Sequence, residues 1–187
     1  MITMQNKSYA FGAMLIALMG ATRMHHYASS LHLPDASLAV FLLAGFLVSS
    51  PRLLGALFVE AAALDYVAIT HLGVDDYCIT PAYWFLNPTY AALWLAGRYA
   101  ARIHQNSLQG LAAFSAISFA AVNVAFAISN GSFYLFSGKF ANIGFAEYAA
   151  RVSQYYLPYI SGAAIYLIPA ALMYAIFTRD AAAVKHA

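Results

Sequence analysis

Ionisable side chains are so sparse in this chain that the gaps between them set its architecture. Fifteen uncharged residues separate Lys7 from Arg23, 16 separate Asp35 from Arg52, and 21 separate Asp76 from Arg98. Another 36 lie between Arg102 and Lys139, and 27 between Arg151 and Arg179. A helix that crosses a membrane needs about 20 apolar residues at about 1.5 Å of rise each. Apolar residues are 63% and charged residues 9% of the 187; soluble domains run near ~45–50% and ~25%. An ordinary soluble domain and a disordered chain are excluded. The net charge of +2 is too small and too scattered for a nucleic-acid surface. One cysteine cannot form an internal disulfide.

The windows predict an all-α, polytopic integral membrane protein. Its six transmembrane helices are expected near 8–28, 36–51, 53–71, 82–101, 109–129 and 155–178. The third window is apolar except for Glu60 and Asp65. The second is short, and must tilt, thin the bilayer or let Arg52 snorkel. The runs AFGAMLIALMGA and LAAFSAISFAAVNVAFA lack the alternation of barrel strands. The first run has no convincing cleavage site and reads as helix one. With no long-period repeat, residues 1–187 are expected to form one domain.

Six spans put both termini on one side. That side collects Lys7, Arg52, Arg98, Arg102, Arg179 and Lys185, six cations against the three of Arg23, Lys139 and Arg151. The excess predicts cytoplasmic termini. His25, His26, His32, His71, Cys78 and a long connection over about 130–154 then gather on the outer face. Chemistry outside and short plain loops within suggest a protein that captures something arriving from outside.

Cys78 lies in HLGVDDYCITPAYWFLNPTY, where Pro81 and the Asp75–Asp76 pair favour an irregular approach to helix four. Its thiolate would bind a soft or borderline metal; packing as a small hydrophobe is the alternative. Asp65, inside an apolar helix, should line a cavity or meet a partner. It could share a cavity with His71 or fix helix packing. Glu60, deeper in that helix, reads as structural or water-facing. His25 and His26 point about 100° apart on a helix and make a poor bidentate pair, so they suit an interfacial cap, with one able to reach a ligand. No spacing supports a protein-only zinc site. Segment 130–154 mixes Gly, Ser and Asn with aromatics and can serve as a lid or an aromatic belt. Arg151 carries a fork suited to carboxylate, amide or phosphate oxygens, or is a plain interfacial arginine. Ala13, Ala17 and Ala21 recur every fourth residue, allowing close approach of another helix, in this chain or in a partner.

The stretch YCITPAYWFLNPTY after Asp65 and the acidic pair, with the alanine period in helix one, resembles the BtuM-type S-components of energy-coupling-factor (ECF) transporters. The resemblance implies an S-component-like six-helix bundle that captures vitamin B12, cobalamin, as its cobalt-containing ligand. It implies that Cys78 ligates the cobalt and that Asp65, Tyr83, Arg151 and, more weakly, His26 line the cavity. It also implies that Ala13 and Ala17, in a register continuing to Ala21, face a transmembrane coupling subunit working with two cytoplasmic ATPases. Thiolate ligation would displace the nucleotide base from cobalt and weaken the bond to cyanide on the opposite face. Loss of cyanide from cyanocobalamin is therefore expected at Cys78. Asp65 would act there only through water or a neighbouring donor, since its charge alone disfavours a thiolate. Two other functions fit the residues. One is a haem or redox protein using His26 and His71, since His104 falls on the other side. The other is an S-component for a different vitamin, with Cys78 incidental.

Overall fold

In a computed structural model the described residues are 4–23 and 33–183, with side chains described over 6–23 and 33–175. Among them there are helices and no strand. The order is α1 (Met4–Arg23), α2 (Ser37–Leu43) running into a π-helical turn (Ala44–Val48), α3 (Pro51–His71), a 3-10 turn (Pro81–Phe85), α4 (Leu86–Ile103), α5 (Leu108–Phe136) and α6 (Phe145–Ala183).

Local chemistry sets the boundaries. Ser49 takes a left-handed φ of 53° after the π turn. Ser50 then caps α3 by accepting the Leu53 N–H, and Pro51 supplies a first residue that needs no amide partner. Thr80 and Pro81 open the 3-10 turn the same way, and Ser107 caps α5 through the Gly110 N–H.

α2 and its π turn would cover only about 18 Å at helical rise. Ala39, Val40, Phe41, Leu42, Leu43 and Ala44 are all buried, enclosed by α1, α4 and α6. A helix apolar on every side belongs inside a bundle. Two glycines let it sit there. A Cβ on Gly45 would collide with the Trp94 carbonyl oxygen, and one on Gly97 with the Leu42 carbonyl oxygen. α2 and α4 thus cross backbone to backbone. Below the crossing Phe41 stacks on Tyr90 at 4.2 Å between ring centroids.

The expected outer loop over 130–154 is corrected: most of it is helix. α5 runs to Phe136 and α6 starts at Phe145, leaving only residues 137–144 irregular. The polar residues that read as loop formers bond back into the helix: Asn130 Nδ2 donates to the Phe126 carbonyl and Ser132 Oγ to that of Ser129. The turn is gripped by aromatics, with Tyr148 against Tyr134 at 4.6 Å and Phe140 at 4.9 Å.

α3, α5 and the Phe145–Ala175 part of α6 are long and apolar enough to cross a membrane. Their outward faces carry Val59, Phe119 and Ile168, exposed by 71, 58 and 58%. Large apolar side chains displayed this way suit lipid and not water.

Candidate functional site

The C-terminal ends of α1, α3 and α5 meet the N-terminal ends of α2, α4 and α6 at one end of the bundle. Arg23, the last residue of α1, turns inward there. Its Nε and Nη2 donate to the two carboxylate oxygens of Asp65 on α3, both at 2.7 Å. Its Nη1 donates to Ser37 Oγ at 2.7 Å and to the Tyr90 hydroxyl at 2.9 Å, and lies 3.5 Å from an oxygen of Asp35. The Tyr83 hydroxyl donates to Asp65 at 2.7 Å. The Arg23 side chain is 7% exposed and that of Asp65 22%. One guanidinium therefore ties α1 to α2, α3 and α4, and through Asp65 to the 3-10 turn. An enclosed charge needs this kind of paired, hydrogen-bonded setting.

Asp65 thus both meets a partner and lines a cavity. Arg23 escaped sequence analysis, where it served as a window boundary. An intramembrane acid whose only Lys or Arg on the same helix, Arg52, lies at the opposite end was the available signal.

Two cavities at this end share Cys78 in their walls. One of about 620 Å³ is walled by Ser129, Asn130 and Phe133 of α5, Phe140, and Tyr148, Arg151 and Gln154 of α6. The other, about 940 Å³, contains Arg23, Asp35, Asp65, Asp75 and Tyr90. Tyr77, Cys78, Tyr83 and Leu86 border both. Ligand clefts commonly hold about 300–1,000 Å³ between apolar walls with a few placed polar groups.

Cys78 is exposed. Its loop is shaped by the Asp75 carboxylate, which accepts the Tyr77 N–H at 2.6 Å, and by the Ile79 N–H donating to the Asp76 carbonyl. Partial enclosure by the cavity walls pushes the thiol pKa up; Asp75 and Asp65 push the same way, and Lys139 opposes them. The resting group is a thiol, and metal ligation must release its proton.

The other expected residues divide. Tyr83 borders both cavities, bound to Asp65. Arg151 reaches the smaller cavity while its Nη2 pairs with Glu147 at 2.6 Å, and its side chain is 61% exposed. His26, with His25 and His32, lies outside the described residues. His71 is exposed beside Tyr66 and borders neither cavity, so it does not join Asp65 there. Glu60 is half-buried, with one oxygen facing Gly20 of α1 and the other unpartnered among the described residues. Ala13, Ala17 and Ala21 all face outward from α1, whereas Gly12, Leu15, Met19 and Thr22 face in. No group of three or more His, Cys, Asp or Glu side chains suited to a metal occurs among the described residues. Cys78 is a single donor, suited to a metal that arrives with its other ligands.

The sequence matches no known family model and no curated protein.

Proposed function

We propose that this chain is the substrate-capturing membrane subunit, of S-component type, of an ECF uptake system, and that its substrate is cobalamin. The observation that carries the proposal is the exposed Cys78 thiol on the wall shared by two cavities. Cobalamin brings a cobalt whose corrin supplies four nitrogens, leaving two axial positions, so one protein donor suffices. Aromatic and apolar walls suit the rim of the macrocycle, and Ser, Asn, Gln and Asp side chains suit its amide arms.

In this reading Cys78 gives up its proton and donates a sulfur lone pair to cobalt, in the place vacated by the nucleotide base. Cyanide on the opposite face, weakened by the donor, leaves as the anion with its bonding pair, and the cobalt oxidation state is unchanged. Tyr83 and Asp65 hold the wall beside the sulfur. All six helices span the bacterial cytoplasmic membrane with both termini inside, and α2 is the enclosed central span. The outward stripe of Ala13, Ala17 and Ala21 receives the coupling subunit, which brings two cytoplasmic ATPases. No observation favours the haem alternative, since His71 borders neither cavity.

Purified protein mixed with cyanocobalamin should shift the corrin absorption bands, and Cys78→Ala and Cys78→Ser should abolish the shift. Unchanged spectra and equal affinities across the three proteins would end the cobalt-ligand proposal. Competition by a different vitamin in a binding panel would reassign the cargo.

A further inference from the structure

The two cavities that meet at Cys78 differ in the charged groups their described walls present. Among the described residues, the larger holds Asp35, Asp65 and Asp75 against a single cation, Arg23, which is already bound to both oxygens of Asp65. Among the described residues, the smaller has no acidic residue in its wall and one cation, Arg151. Glu147 takes one N–H of the Arg151 Nη2, so the other guanidinium N–H groups remain available to an anion. A second cation stands at the boundary: the Lys139 ammonium lies 3.6 Å from the ring centroid of Tyr77, which walls both cavities. Ser129, Asn130, Ser132 and Gln154 complete the smaller wall with neutral hydrogen-bonding groups.

A ligand anchored at the shared wall therefore meets a field that sorts its parts. We infer that the smaller cavity is a phosphodiester subsite, in which Arg151 takes the anionic tail of a corrinoid whose cobalt is held at Cys78. This rests on the cobalamin reading and adds an orientation to it. When sulfur replaces the base on cobalt, the base and the phosphodiester joining it to the ring must move off that face. The larger cavity disfavours the phosphodiester, because its three carboxylates outnumber the one guanidinium of Arg23. The smaller one offers the planar fork that pairs with phosphate oxygens. The uncharged amide arms, rich in N–H donors, are left to the carboxylates of the larger cavity.

The test compares cobalamin with cobinamide, a corrinoid that lacks the nucleotide and its phosphodiester, by spectral titration of the full chain in detergent. Arg151→Gln removes the charge at an exposed site and should leave the protein folded. It is expected to weaken cobalamin binding about tenfold, the low end for a charge-assisted contact, and to leave cobinamide within about twofold. Arg151→Lys should retain most of the cobalamin affinity, and 0.5 M salt should weaken cobalamin more than cobinamide. Equal losses for both corrinoids, or no loss for either, would overturn the subsite while leaving the cobalt site intact. Absence of any spectral change with either corrinoid in the wild-type protein would overturn the cobalamin reading and the subsite together.

Discussion

Replacing Asp65 by Asn keeps the shape of the side chain and removes the charge that Arg23 was folded around. Asp65 accepts three hydrogen bonds, two from Arg23 and one from Tyr83. Breaking a buried ion pair from one side costs about 3–5 kcal/mol, because the surviving charge is left enclosed. Two features lower that figure here. Asp65 is 22% exposed, and Arg23 keeps Ser37, Tyr90 and, at 3.5 Å, Asp35. The expected loss for Asp65→Asn is about 3 kcal/mol, with a similar loss for Arg23→Gln. Tyr83→Phe removes one neutral donor and should cost about 1 kcal/mol. Combining Arg23→Gln with Asp65→Asn removes both charges at once, so the pair should cost little more than either alone. The coupling is then a little under about 3 kcal/mol. Reversible unfolding in mixed micelles, followed by tryptophan fluorescence, measures all four variants. If the two single losses simply add, to within about 0.5 kcal/mol, the ion pair is not the fastening described above.

Three further outcomes follow from the packing and the site. Gly97→Leu puts atoms where the Leu42 carbonyl sits and should cost at least about 3 kcal/mol or prevent folding; Gly55→Ala, with open space around it, should be neutral or stabilising by about 0.5–1 kcal/mol in the same unfolding assay. Because the Cys78 thiol pKa is raised, its thiolate is scarce below that pKa, and cobalt ligation should strengthen roughly tenfold per pH unit as pH rises toward it; titrations at pH 6, 7 and 8 showing a flat affinity would contradict proton release from Cys78. Ala17→Trp, on the outward face of α1, should leave the spectral shift intact and abolish cobalamin uptake by cells, and normal uptake would remove that face from the docking surface.

The all-helical, apolar character was legible because charge is expensive in hydrocarbon, so Lys7, Arg23, Asp35 and Arg52 mark where the early apolar windows stop; among the described residues three helices are long and apolar enough to cross a membrane. The ends of α5 and α6 were not, because Asn130, Gly131 and Ser132 have the composition of a loop. Only the tertiary clamp of Tyr134, Phe140 and Tyr148 explains why helix persists there. The shortness of α2 was visible, but its central position follows from Gly45 lying against the Trp94 backbone and Gly97 against that of Leu42, approaches between residues distant in sequence that no local pattern announces. At the site, Cys78, Asp65, Tyr83 and Arg151 were singled out; Cys78 and Tyr83 border both cavities, Asp65 the larger and Arg151 the smaller. The inward turn of Arg23 was missed because a charge at a helix end looks the same whether it faces headgroups or a buried carboxylate.

The chain carries a single sulfhydryl, and it is accessible where both chambers can be sensed. A maleimide dye or nitroxide reacted with the native polypeptide would attach at Cys78 alone, with no need to engineer other thiols away. Protection of that attachment by a candidate cargo gives an occupancy readout that works for colourless compounds as well as for corrinoids.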